Sequence, residues 1–284
     1  MQKARSNHPT MPPELSRPTP RLAAPIVMAH GLFGFRRIGL GPLTLAWYFR
    51  GIPEALRAAG NRVLVTRVHP TAGVARRSRK LGEQIREAFP DEPVHLIGHS
   101  MGGLDARALV ADPWWQGRIL SLTTIATPHL GSALADFAKL RVGRIYSVLE
   151  RLGIDHAGFM DVTPAAARDF NRRTAAPRGL PTFSVAGDPD PSDVCWPLRR
   201  LHAALCELEG HNDGLVSVGS ANAFGEPLPT WPVDHLRQMN WFPADGGTLP
   251  FPSVARYYGE VLAHLATLPC EADRLAEFAS RETA

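Results

Sequence analysis

A serine hydroxyl is a useful nucleophile only when the chain exposes it and a base stands ready to take its proton. The segment Gly98-His99-Ser100-Met101-Gly102 has the form that meets the first need. It follows the apolar run Val94 to Ile97 and precedes a helical pattern, the context that gives a G-x-S-x-G pattern its meaning. A strand that reverses sharply into a helix holds its turn residue in a strained conformation. Side chains two positions away on either side would collide there, so Gly98 and Gly102 are needed. The turn would place the Ser100 hydroxyl at the strand's end, beside a helix N-terminus that favours negative charge. The chemistry implied is acyl transfer, which also needs two donors for a developing oxyanion. One is the backbone N–H of Met101, directly after the serine. The other is the backbone N–H of Leu32, in His30-Gly31-Leu32-Phe33-Gly34, where glycines allow the backbone to approach a substrate.

The base needs an orienting carboxylate, and behind such an elbow the chain order is serine, acid, histidine. His129, His156, His202, His211, His235 and His264 all follow Ser100. His235 lies after a strand-like stretch, residues 228–233, and before the last helical pattern, where the base is expected. His211 is its main rival. Asp213 sits in the turn Asn212-Asp213-Gly214 ahead of an apolar run and is the preferred acid. Asp188, Asp190, Asp193 and Asp234 compete with it. Asp234 adjoins His235 and would have to fold back to reach its imidazole.

Elements must hold these groups in place. Strand signals at 26–29, 62–68, 94–97, 119–125 and 181–186 alternate with helical signals at 54–59, 75–89, 102–110 and 253–268. Alternation of this kind argues for βα units around a parallel sheet. Between them, 132–173 shows no strand signal. Leu134, Phe137, Ile145, Val148, Leu149 and Leu152 recur there at near-helical spacing, which predicts an amphipathic helix. The organisation read from the chain is an extended arm (1–24), one domain (25–270) with a helical insertion (132–173), and a polar tail (271–284).

Composition narrows the class. The chain of 284 residues is 44% hydrophobic and 20% charged, ordinary for a globular protein, and its net charge of +4 is too mild to argue for nucleic acid. The basic run Arg76, Arg77, Arg79 and Lys80 reads as a solvated helix start. No apolar run reaches the roughly 18 residues of a membrane span. The N-terminus is polar and proline-rich without an apolar core, so it does not read as a secretory signal. A cytoplasmic protein is expected, or a secreted one whose leader has been removed. Cys195, Cys206 and Cys270 are too few for a disulfide framework. Continuous helix between the first two would part them by about 16 Å, against a limit of roughly 7 Å for bridged Cα atoms, so they could pair only across a folded-back loop.

Several stretches together carry a family likeness. Ala29 to Leu32, Gly98 to Leu104 and Thr123 to Ser132 resemble segments of the true bacterial lipases of the Pseudomonas and Burkholderia type. So do Thr163 to Asn171, Asp190 to Asp193, Asn212 to Val216, and Asp234 to Leu236. The likeness covers roughly residues 25 to 268. It implies an α/β-hydrolase fold, a mostly parallel sheet flanked by helices. It also implies hydrolysis of lipid esters by Ser100, Asp213 and His235, and no organic cofactor. Residues 132–173 match the family's lid, which would cover an apolar acyl pocket in water and move aside at a lipid–water interface. The resemblance further implies a structural calcium held in part by Asp190. The second calcium aspartate, two residues after the histidine, is here Arg237, and a guanidinium cannot bind a cation. An Arg237–Asp190 ion pair in place of the metal is therefore expected. Two other readings compete: an intracellular esterase, thioesterase, polyester or phospholipid acyl hydrolase on the same triad, and a non-catalytic lipid-binding protein.

Overall fold

The computed structural model describes residues 18–32, 38–40, 43–46, 48–135, 157–175, 178–242 and 252–268. In chain order the strands are β1 (Ile26–Ala29), β2 (Ile38–Leu40), β3 (Leu43–Ala46), β4 (Val63–Val65), β5 (Val94–His99), β6 (Ile119–Ile125), β7 (Thr182–Val185) and β8 (Glu226–Pro227). The α-helices are α1 (Ile52–Ala58), α2 (Val74–Ala88), α3 (Met101–Val110), α4 (Ala157–Asp161), α5 (Pro164–Arg173), α6 (Arg199–Glu209), α7 (Val218–Ala221) and α8 (Pro252–Leu265). Six strands form one sheet in the order β4-β1-β5-β6-β7-β8, while β2 and β3 pair as a separate antiparallel hairpin. Every pairing within the large sheet is parallel.

Both faces of the sheet are covered, so its central strands β1, β5 and β6 are buried along their whole length. Alternate side chains serve opposite faces. Ile26, Met28 and Ile97 join one cluster with Ile52 and Leu56 of α1 and Tyr258, Val261 and Leu262 of α8. Val27, Ala29, Val94 and Leu96 join the other with Leu81 and Ile85 of α2 and Ala106 and Leu109 of α3. Each large apolar side chain so buried contributes about 1.5–3 kcal/mol. The chain leaves β1 for β4 on one side and returns to β5 on the other. That reversal opens a crevice at the strands' carboxyl ends, the place where open α/β sheets bind ligands.

Several expectations change at their edges. The stretch 228–233 adds only the single bridge Gly187–Trp231 to the sheet, and the short strand β8 lies just before it. Pro229 and Pro232 have no N–H to donate, which ends the ladder there. Helix α6 was not anticipated. It begins after Cys195 and carries Cys206 near its end, and both thiols are free. The basic run is not uniformly solvated: Arg77 is fully buried. It lies on the same stripe of α2 as Val74, Ser78, Leu81 and Ile85, all buried. Most of the anticipated helix in 132–173, most of the arm and the polar tail lie outside the described residues; the insertion's end is described as α4 and α5.

Candidate active site

Ser100 has φ 56° and ψ −132°, a strained conformation for a residue with a side chain. Its N–H donates to Ile125 O at 2.8 Å, and its carbonyl accepts from Thr127 Oγ1 at 2.9 Å, so the end of β6 holds the turn. The flanking glycines are required by contact. A Cβ on Gly98 would stand 2.6 Å from the Gly103 backbone, and one on Gly102 would stand 2.3 Å from Ala29 O. Met101 opens α3, and the first N–H groups of a helix have no intrahelical partner. Across the crevice, Gly31 comes so close that a Cβ there would lie 2.7 Å from Ser100 Cβ and 3.0 Å from its Oγ. Leu32 is the next residue.

The loops after α6 and β8 bring the acid and the base together. His235 Nδ1 donates to Asp213 Oδ2 at 2.7 Å, and His235 N donates to Asp213 O at 2.9 Å. Both side chains are buried. Asp213 Oδ1 accepts from the Leu215 and Val216 N–H groups at 3.0 and 2.8 Å, so the carboxylate is fixed in plane. The His235 ring lies 4.7 Å, centroid to centroid, from that of His99, the residue before Ser100. The rivals are engaged elsewhere. His211 is exposed and pairs with Asp188 at 2.9 Å. Asp234 accepts from the Leu236, Arg237 and Cys195 N–H groups, and so ties the His235 loop to the segment before α6. Burial, and then the nearby Asp234 carboxylate, push the Cys195 thiol up to about 12.

The roles of five residues had escaped the sequence reading. Arg77 donates through Nη2 to His30 O at 2.5 Å and Gly31 O at 3.3 Å, pinning the loop that carries Leu32. The same guanidinium meets Asp105 Oδ2 through Nε and Nη2, both at 2.8 Å. Burial pushes the Asp105 carboxyl up to about 6 against the pull of Arg77. His30 is lowered to about 4, first by burial and then by Arg77; its Nδ1–H donates to Gly31 O. Tyr48 and Gln238 touch the site through His99. The apolar stripe of α2 was the available signal for Arg77. Tyr48 and Gln238 carried none.

The neighbourhood has relatives among known proteins. A family model described as the alpha/beta hydrolase fold matches residues 76–158. A triacylglycerol lipase of Pseudomonas fragi is 39% identical, over 76% of this chain and 87% of its own. The chain belongs to the triacylglycerol lipase family. Triacylglycerol lipase 2 of Saccharomyces cerevisiae is 30% identical over 68% of this chain, which spans 62% of that relative's length. Solved structures agree in fold. A Staphylococcus hyicus lipase aligns at TM-score 0.65 with 18% identity, over 97% of this chain and all of its own (100%). A metagenomic carboxyl esterase aligns at TM-score 0.69 with 18% identity, over 94% and 81% of the two chains.

The calcium implied by the lipase likeness does not fit the residues present. Asp190 is exposed, and its Oδ1 accepts from Ser192 N and Oγ. Arg237 does not reach it, contrary to the expected pair: Arg237 Nη1 meets Asp234 Oδ2 at 3.3 Å. A partner three residues away on the same turn is closer than one across the loop. No group of three or more His, Cys, Asp or Glu that could hold a metal ion occurs among the described residues.

Proposed function

We propose that Ser100, His235 and Asp213 form the catalytic triad of a lipase that cleaves carboxylic esters of lipids through an acyl-enzyme. The observation that carries this reading is the buried 2.7 Å bond from His235 to Asp213, in a chain whose elbow presents Ser100. That bond places the proton on Nδ1, so Nε2 is free to act as base. His235 takes the Ser100 proton as Oγ attacks the ester carbonyl carbon. The carbonyl electrons move to oxygen, where the Leu32 and Met101 N–H groups would meet the charge. Collapse breaks the ester bond, and the alkoxide leaves with the proton from His235. Water, deprotonated by His235, then attacks the acyl carbon; the bond to Ser100 Oγ breaks, the serine takes the proton back from His235, and the acid is released.

Support for a lipid ester as substrate comes from the lipase relatives. The insertion between Ser132 and Arg173 is read as a lid; its far end packs beside the oxyanion loop, with Leu32, Val162 and Phe170 around Val74 and Met101. No helix among the described residues is long and apolar enough to cross a membrane. Three substitutions test the triad. Ser100→Ala should abolish labelling by an active-site phosphonate and cut ester hydrolysis on the order of 10³-fold or more. Asp213→Asn should cost less than His235→Ala, since the carboxylate only orients the imidazole and stabilises its cation. A folded Ser100→Ala variant with near-normal hydrolysis would overturn the reading, and labelling of the wild-type protein excludes a lipid-binding role without chemistry.

A further inference from the structure

Behind the triad runs a buried chain of hydrogen bonds that the mechanism above does not use. Tyr48 Oη lies 2.8 Å from His99 Nδ1, His99 Nε2 lies 2.9 Å from Gln238 Oε1, and Gln238 Nε2 lies 3.2 Å from Asp213 Oδ2. Gln238 also donates to Val233 O at 3.4 Å. All four side chains are buried. The start of the chain touches the oxyanion loop, since a Cβ on Gly31 would lie 2.6 Å from the Tyr48 hydroxyl. Its end is the same oxygen of Asp213 that accepts from His235.

The direction of every bond is forced. An ionised Asp213 can only accept, as can the Val233 carbonyl, so the Gln238 amide must turn its NH₂ toward both. Its Oε1 then faces His99, which must carry its proton on Nε2. A neutral His99 leaves Nδ1 as an acceptor, and the Tyr48 hydroxyl supplies the donor. We infer that Gln238 is a positioning residue for Asp213, and that Tyr48 and His99 act as a polarity key that keeps its amide the right way round. If the amide reversed, Oε1 would meet Asp213 Oδ2, acceptor against acceptor, beside the bond that orients His235.

The surroundings agree with this assignment. Burial and then His235 hold His99 far below the usual histidine range, which keeps it neutral beside a ring that becomes cationic in each turnover. The titratable groups facing His235 among the described residues are Asp213 and His99. On its own loop, Asp234 and Arg237 pair with each other. The amide seat is tight, since a Cβ on Gly187 would lie 2.2 Å from Gln238 Nε2. Tyr258 Oη donates to Gln238 O at 3.2 Å and fixes the backbone below it.

This inference rests on the proposed triad, and the test separates the two. The whole chain is titrated with an active-site phosphonate, so that kcat is expressed per reactive serine on a water-soluble ester. Gln238→Leu removes the amide and leaves an apolar side chain in its place. It should lower kcat on the order of 10-fold, the scale of one hydrogen bond to a charged group, with KM within about twofold. Tyr48→Phe keeps the ring and removes the key; it should lower kcat in the same direction. The double variant should lose no more than Gln238→Leu alone, because the two act through one bond. The low-field proton resonance of His235 Nδ1–H should shift in both single variants. It should not shift in Leu81→Ala, a core variant distant from the chain of bonds that lowers the melting temperature by packing loss. An unchanged kcat per labelled serine in Gln238→Leu, with only a lower melting temperature, overturns the inference while leaving the triad intact. Losses that multiply in the double variant also overturn it. A wild-type protein that neither labels nor hydrolyses any ester overturns the triad and, with it, this inference.

Discussion

Replacing Arg77 with Met tests how the oxyanion loop is held. The substitution keeps the aliphatic stem and deletes the guanidinium. Two side-chain contacts to Asp105 and donors to three carbonyls, those of His30, Gly31 and His69, vanish together. All of this happens in a site where the Arg77 and Asp105 side chains are 0% and 1% exposed. Breaking a buried pair from one side costs about 3–5 kcal/mol. Asp105, already pushed up to about 6, can relieve part of that by taking a proton at neutral pH, which favours the lower end. For a chain of this size each kcal/mol is worth about 2–4 °C, so a fall of roughly 6–12 °C in Tm is expected. Adding Asp105→Leu should recover part of the loss, because the uncompensated carboxyl is gone. Activity should fall more than stability requires. The loop carrying Leu32 loses its anchor, and loss of one oxyanion donor costs about 10²–10³-fold in kcat. Thermal melts, and kcat measured well below Tm, provide both readings. A variant with wild-type Tm and wild-type kcat would refute the reasoning.

Two further outcomes follow from electrostatics. Chelator should leave activity and Tm unchanged, since Arg237 is paired to Asp234 and Asp190 is held by Ser192; stoichiometric calcium in the purified protein, with inactivation on its removal, contradicts this. His30 is lowered from 6.5 to about 4, so the folded state binds fewer protons than the unfolded chain between those values. Stability is therefore complete above about pH 6.5 and is lost as pH falls toward 4, by up to about 1.4 kcal/mol per pH unit from this one group. Denaturant melts across that window should show the loss, with a shallower slope in His30→Asn; equal slopes in the two proteins would count against it.

The sequence alone determined what local rules control. A glycine two residues before and after Ser100 is dictated by backbone geometry within a few bonds, and the structure shows both contacts that demand it. Apolar runs against 3.6-residue stripes likewise placed β1, β5, β6, α2 and α3 within a few residues. Tertiary structure alone decided which distant side chains meet. Gln238 is 139 positions from His99, and Arg77 is 47 from His30. Both meetings follow from the sheet order β4-β1-β5-β6, which sets loops from separate crossovers side by side at one edge. The reach of Arg237 shows the same limit. Its charge was legible, but the choice between Asp190 and Asp234 depended on the turn Leu236–Met239, where Asp234 accepts the Arg237 N–H and brings its carboxylate to the guanidinium. Charge pairing is decided by distance and burial, and neither is a property of residue order.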